Sequence, residues 1–304
     1  MGTVRSSMQE VENRRLTQGR FTVYLSLLRP VNCAMIGVAV VIGEVINLGS
    51  FPGLDKAAFG FLTASLMMAG TMVLNDIYDV DIDRLNAPNR PIPSGRASIG
   101  SARYLAAALS IASMTFAILI GVLSFLIALL ALGLMIFYNT RGKRLGLLGN
   151  AVVSFNVALP FVFGGVSVSA LRPIVVLFSV LAFLTNLGRE IGKGVVDVEG
   201  DRLHNVRTLA VLKGQKFAAK ASSGLLISAV AVSFVPIILG IANPLYVLPV
   251  AIADFGFVMS AVSLLRNSSP DNARRVKSWI LLCMLFGLIA FLLGGLPVAV
   301  IPTS

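Results

Sequence analysis

Asp79-Val80-Asp81-Ile82-Asp83-Arg84-Leu85-Asn86 recurs, almost letter for letter, as Asp197-Val198-Glu199-Gly200-Asp201-Arg202-Leu203-His204. Each copy follows a long apolar stretch. Each sets carboxylates four residues apart, the spacing that stacks side chains on one face if the backbone is helical there. Acidic residues are scarce, at 14 in 304, yet Asp76, Asp79, Asp81, Asp83, Glu190, Asp197, Glu199 and Asp201 all lie in or beside the copies. An apolar chain that gathers its negative charge at two equivalent points is expected to build a divalent-metal site there.

Outside these copies, composition sets the class. The chain is 56% hydrophobic and 13% charged, with mean hydropathy +0.87, beyond the range of soluble globular proteins. The expected fold is therefore all-α and integral to a membrane. Apolar runs long enough to cross a bilayer fall at 23–46, 58–74, 102–120, 123–138, 147–170, 173–187, 221–241, 244–265 and 279–301. That predicts nine transmembrane helices, with 123–138 and 173–187 the shortest.

Positive charge tests this count independently. Of 25 Lys and Arg, only Lys56 and Arg172 fall in odd-numbered connections; the rest precede or open the first run or lie in even-numbered connections. The positive-inside rule makes that side cytoplasmic, with the N-terminus and both acidic copies on it. The net charge of +11 is thus a topological signal that needs no nucleic acid. Attraction to anionic headgroups and to an anionic substrate is secondary. Residues 1–20 are polar and read as a cytoplasmic segment, an interfacial helix or a frayed tail; 21–304 read as one transmembrane domain. Cys33 and Cys283 lie in different apolar runs, so no disulfide framework is implied.

The copies follow the second and sixth runs and enter the same face in the same orientation. Helices 1–4 and 5–8 read as similar halves with the ninth appended, an arrangement that places a site between the halves. The connections after runs 2 and 6 are long. The first, 75–101, contains Asn86-Ala87-Pro88-Asn89-Arg90-Pro91-Ile92-Pro93-Ser94-Gly95, which cannot continue a helix. A cytoplasmic cap over a central cavity is expected.

In the first copy Asn75, Asp79 and Asp83 recur every fourth residue, with Asp76 close to the same face. In the second, Asp197 and Asp201 are one turn apart, and Glu190 lies two turns above Asp197. Carboxylates this close repel, so the arrangement calls for a cation. His204 is the only histidine and no His/Cys cluster suits zinc, whereas Mg²⁺ takes carboxylate, water and phosphate oxygens. Carboxylates from two helices bridged by Mg²⁺ suit a diphosphate, and an apolar cavity suits a polyprenyl tail. Metal coordination would stabilise departing pyrophosphate as an allylic C–O bond ionises. Three other readings stay open. Two solvated acidic loops could hold Arg84 and Arg202, though that needs no repeated spacing. A transporter would hold its charges near the midplane rather than at helix ends. An acidic channel ring leaves the Pro-rich loop unexplained.

The stretch Asn75 through Arg84, followed by Asn86 and Arg90-Pro91-Ile92-Pro93-Ser94-Gly95, resembles the first signature of the UbiA-type intramembrane prenyltransferases. Arg189-Glu190-Ile191 through Asp197-Val198-Glu199-Gly200-Asp201 resembles the second. Arg29-Pro30-Val31-Asn32 and Tyr138, Lys143 and Gly149-Asn150 match smaller motifs, so the resemblance covers essentially the whole chain. It implies two Mg²⁺ ions, one on Asn75, Asp79 and Asp83 and one on Asp197 and Asp201, with Asp76 a further ligand or an acceptor behind them. It implies that Lys143, Arg84 and Lys193 contact the diphosphate and that Tyr138 and Asn32 line the site near the allylic carbon. Each has a plainer reading: Lys143 as a topology marker, Tyr138 as an interfacial aromatic, Asn32 as an interhelical hydrogen bond, Arg29 as a snorkelling cation. Gly194 departs from the pattern, since many relatives carry an acid there. Glu44 and Asp254 are intramembrane acids and functional suspects by default.

Within the family the spelling most resembles the archaeal digeranylgeranylglyceryl phosphate synthases, with the chlorophyll synthases close in the first motif. That implies geranylgeranyl transfer to the hydroxyl of a lipid acceptor, geranylgeranylglyceryl phosphate, forming an ether. The alternative is an aromatic acceptor of quinone or chlorophyll type. The implied partners are the prenyl diphosphate, the lipid acceptor and membrane lipids, with no obligate protein partner.

Overall fold

The computed structural model describes residues 19–203 and 205–296. The expected amino-terminal segment up to residue 18, His204 and the tail from 297 lie outside the described residues. Among the described residues every regular element is helical. Long helices are α2 (Pro30–Leu48), α3 (Leu54–Tyr78), α5 (Ile99–Ile120), α6 (Val122–Thr140), α7 (Leu147–Ser167), α8 (Pro173–Val196), α11 (Gln215–Ser233), α13 (Val247–Arg266) and α14 (Pro270–Gly295). Short ones are α1 (Arg20–Leu28), α4 (Val80–Asn86), α9 (Val198–Leu203), α10 (Leu209–Lys213) and α12 (Val235–Ile238), plus 3₁₀ turns at Gly142–Leu145 and Pro244–Tyr246. With α12 continuing α11, nine helices among the described residues are long and apolar enough to cross a membrane.

Several boundaries differ from the sequence reading, and three differences stand out. The run 173–187 extends to Val196, carrying Glu190 and Lys193 on its last two turns. The ninth helix starts at Pro270, capped by Ser269, whose hydroxyl accepts from Asn272 N at 3.4 Å. Polar helix ends escape a hydropathy reading because solvated charged side chains do not stop a helix. The first run is broken at Arg29, which sits at φ 52°, ψ 67° between α1 and α2. Pro30 causes this: its ring removes an N–H and drives the preceding residue out of the right-handed helical region.

The two acidic copies fold alike. Helix α3 ends at Tyr78 and α4 starts at Val80, with Asp79 at φ −93°, ψ 4° between them. Helix α8 ends at Val196 and α9 starts at Val198, with Asp197 at φ −98°, ψ 11°. The hydrogen-bond ladder runs through both bends. Asp79 N donates to Asn75 O at 2.9 Å and Asp83 N to Asp79 O at 2.8 Å; Asp197 N donates to Lys193 O at 3.1 Å and Asp201 N to Asp197 O at 2.8 Å. The expected straight face of Asn75, Asp79 and Asp83 is therefore bent at its middle residue.

Equivalent helices also pack in equivalent pairs: α2 on α3 and α7 on α8, α3 on α5 and α8 on α11, α5 on α6 and α11 on α13. The halves meet where α2 crosses α7. A Cβ on Gly164 would lie 2.4 Å from Val40 O, so the two backbones touch. Small residues permit such contact between membrane helices, where dispersion rather than water exclusion holds them together. Gly164→Ala is expected to cost about 1–3 kcal/mol and to lower the thermal unfolding midpoint in detergent. An unchanged midpoint would contradict this packing.

Candidate active site

The acidic helix ends open on one cavity of about 1330 Å³. Its walls come from α3 and α4, the end of α6 with its 3₁₀ turn, α8 through Thr208, and the first turns of α14. These are the connections after the second, fourth, sixth and eighth spans, all on one side of the bundle. Asn75, Asp79, Asp83, Tyr138, Lys143, Lys193, Asp197 and Asp201 all line it.

In the first copy each acid is held by a cation. Lys143 Nζ donates to Asp79 Oδ1 and Oδ2 at 2.7 and 2.8 Å. Arg90 Nη1 donates to Asp83 Oδ2 at 2.5 Å and reaches Asp76 Oδ1 at 3.5 Å. Asp76 is buried and does not line the cavity; Arg29 Nη2 donates to its Oδ1 at 2.7 Å. The left-handed backbone at Arg29, costing about 1–2 kcal/mol, is offset by this pairing with a buried acid. Asp76 thus stands behind the cavity wall and fixes Arg29 and Arg90. On the second copy's helix, Glu190 takes Arg189 Nη1 at 2.7 Å and lies 3.6 Å from Lys193 Nζ. Lys143 also sits 5.8 Å from the centre of the Tyr138 ring. Burial pushes its ammonium below the usual lysine range, and Asp79 opposes that shift.

Two expected residues are elsewhere. Arg84 is solvent-exposed and does not line the cavity; it pairs at 3.0 Å with Asp81, a lining residue that is itself 85% exposed. Asn32 is exposed on the first turn of α2 and does not line the cavity either, because the break at Arg29 re-aims that turn. Glu44 is buried at the junction of the halves, accepting from Ser167 Oγ at 2.8 Å, and Asp254 accepts from Ser233 Oγ at 2.6 Å. Neither lines the cavity.

The donor set suits a hard divalent ion. Its oxygens come from carboxylates and the Asn75 amide, with no histidine or thiol, and Mg²⁺ needs only one or two carboxylates beside water and phosphate. No three His, Cys, Asp or Glu groups among the described residues are gathered into a ready-made cage. Lys143 and Arg90 occupy the carboxylates of Asp79 and Asp83 instead.

Residues 36–285 match the model of the UbiA prenyltransferase family. The chain belongs to this family. It is similar, at 32% identity, to the digeranylgeranylglyceryl phosphate synthase of Thermococcus kodakarensis over 91% of its own length and 99% of the relative's. It is 36% identical to the enzyme of the same name from Methanopyrus kandleri, covering 88% and 97%. Among solved structures it superposes, with TM-score 0.78 and 29% identity over 91% of this chain and 99% of the other, on one described as giving insights into digeranylgeranylglyceryl phosphate synthase in membranes. A UbiA homologue from Archaeoglobus fulgidus bound to GPP and Mg²⁺ shares the fold, with TM-score 0.63 at 22% identity, over 88% of this chain and 99% of that one.

This prenyltransferase is thus a multi-pass membrane enzyme, and three residues named from the sequence take places there that the sequence reading did not assign. Arg90 sits in the quoted first signature, but only the folded loop brings it onto Asp83. Arg29 reads as a lipid-facing cation, yet its side chain turns inward to Asp76. Gly194 lines the cavity, and a Cβ there would meet Thr208 Cβ at 3.4 Å, so the space of a longer side chain is taken by Thr208.

Proposed function

We propose that this chain transfers a geranylgeranyl group from its diphosphate to the hydroxyl of geranylgeranylglyceryl phosphate, with two Mg²⁺ ions, at the cytoplasmic face of the cell membrane. The observation that carries the reading is the pair of equivalently bent acidic helix ends lining one cavity. The substrate names come from relatives about 32% identical over nine-tenths of the chain. Cytoplasmic sidedness follows from the Lys and Arg distribution, with α4, α9 and α10 forming the cap on that side.

Asn75, Asp79 and Asp83 would hold one ion and Asp197 and Asp201 the other. Bound there, magnesium supplies charge neutralisation for departing pyrophosphate. With those carboxylates on the metal, Lys143 and Arg90 would be free for the phosphate oxygens, and Lys193 would reach them from α8. The prenyl chain extends between apolar helix faces, with Tyr138 near the allylic carbon, where water is excluded. The acceptor oxygen bonds to C1 as the bond from C1 to the diphosphate oxygen breaks. Its proton passes to a carboxylate or to pyrophosphate.

Purified protein given geranylgeranyl diphosphate, Mg²⁺ and geranylgeranylglyceryl phosphate is expected to yield the diether phosphate by mass spectrometry. Failure to form it, with prenylation of a hydroxybenzoate or naphthoate instead, would move the chain to the aromatic acceptors.

A further inference from the structure

Seven acidic and seven basic residues line the cavity, and its ion pairs leave three of the basic ones over. Arg141, Arg144 and Arg274 line it, and none forms an ion pair among the described residues, unlike Lys143, Lys193 and Arg90. The turn after α6 divides its cations: Lys143 points inward onto Asp79, while Arg141 and Arg144 stay exposed. Arg274 comes from α14, whose N-terminal Pro270 also borders the cavity, adding the positive end of a 26-residue helix. Arg144 is anchored through its backbone, since its carbonyl accepts from Arg207 N at 3.2 Å. Two residues before Arg141, the buried Asn139 donates its amide NH₂ to Met135 O at 3.0 Å. Its Oδ1 is buried without a partner, and the residue borders the same cavity.

We infer that Arg141, Arg144 and Arg274 form a second anion subsite, for the phosphomonoester of the acceptor lipid, with Asn139 Oδ1 receiving the hydrogen bond of its reacting hydroxyl. This deepens the proposed function and rests on it. A phosphomonoester carries close to two negative charges at neutral pH and presents three acceptor oxygens, which guanidinium forks engage two at a time. A hydroxybenzoate or naphthoate acceptor offers one carboxylate with a single charge and two oxygens, which leaves three guanidiniums underused. A cavity of about 1330 Å³ exceeds the roughly 300–1000 Å³ of a drug-sized ligand site, so two polar headgroups fit together.

The test is steady-state kinetics of the full chain in neutral-detergent micelles with geranylgeranyl diphosphate and Mg²⁺. The acceptors are geranylgeranylglyceryl phosphate and the corresponding dephosphorylated alcohol. In Arg144→Gln/Arg274→Gln the KM for the phosphorylated acceptor is expected to rise at least about tenfold, with a far smaller rise for the donor. Preference for the phosphorylated acceptor over the alcohol, as a ratio of kcat/KM, falls by the same factor. Asn139→Ala is expected to lower turnover of both acceptors while keeping that preference. An unchanged preference in the arginine variant, or a donor KM that rises as much as the acceptor's, would overturn the phosphate subsite. So would an effect seen only after anionic lipid is added, which assigns the arginines to bilayer headgroups. Unaltered turnover in Asn139→Ala removes the hydroxyl contact. Wild-type protein that ignores glyceryl phosphate and prenylates hydroxybenzoate overturns the acceptor assignment itself, before any variant is read.

Discussion

Asp79→Ala and Asp197→Ala are each expected to lower prenyl transfer by at least about 10²-fold while leaving the thermal unfolding midpoint near that of the wild type. The loss arises because each removes a carboxylate from a different acidic helix end, and both ends must hold charge for pyrophosphate to depart. The fold survives because the bends are held by backbone hydrogen bonds at residues 79 and 197, which alanine keeps. Asp79 is only partly buried, and its partner Lys143 lies at the cavity, where water reaches the freed ammonium. Removing one of several neighbouring acids also relieves repulsion. Asp55→Ala, in the exposed first turn of α3 on the far side of the bundle, provides a control that keeps activity. Turnover within tenfold of the wild type in either cavity variant would break the link between the two ends.

Gly146→Ala carries the largest expected effect on stability. Gly146 sits at φ 58°, ψ −110°, a combination that side chains rarely adopt. A Cβ there would also lie 1.7 Å from the carbonyl oxygen of Arg207. Neither neighbour is a flexible side-chain end that swings away; the loop 205–208 must lift off the turn. Together the strain and the clash are expected to cost about 2–5 kcal/mol, read as a lower unfolding midpoint. Activity falls too, because the same turn carries Lys143 and the loop leads out of the second acidic copy. Gly95 gives the comparison: φ is 75° but nothing lies within 4 Å of its Cβ position, so Gly95→Ala is expected to cost only about 1 kcal/mol. Equal midpoints for the two variants would show that the contact between residues 146 and 207 does not hold the loop against the turn.

The spans were legible because lipid imposes a length of apolar residues that no soluble contact mimics, and Lys and Arg repeat the count in a second alphabet. The repeat was legible because two copies of one geometry needed nearly one spelling. The break at Arg29 was written in Pro30, but a hydropathy window averages across it. The bends at Asp79 and Asp197 carry no Pro or Gly of their own, and the ladder of backbone bonds passes through both. Tertiary packing sets them, so residue spacing alone suggested a straight face. Arg84 and Arg90 show the same limit. Arg84 lies within the first acidic copy and Arg90 just beyond it, yet one faces solvent and the other reaches Asp83, and the path of the 87–97 loop brings Arg90 there. Asn32 belonged to a motif that the sequence made visible, but its place depended on the backbone turn before it.

Calorimetric titration with a non-hydrolysable geranylgeranyl diphosphate analogue tests directly whether the two acidic ends act as one metal-dependent site. The wild type is expected to bind it only when Mg²⁺ is present, and Asp79→Ala and Asp197→Ala are each expected to abolish that Mg²⁺-dependent binding. Retention of wild-type affinity by either variant, or tight binding by the wild type in excess EDTA, would contradict the shared site.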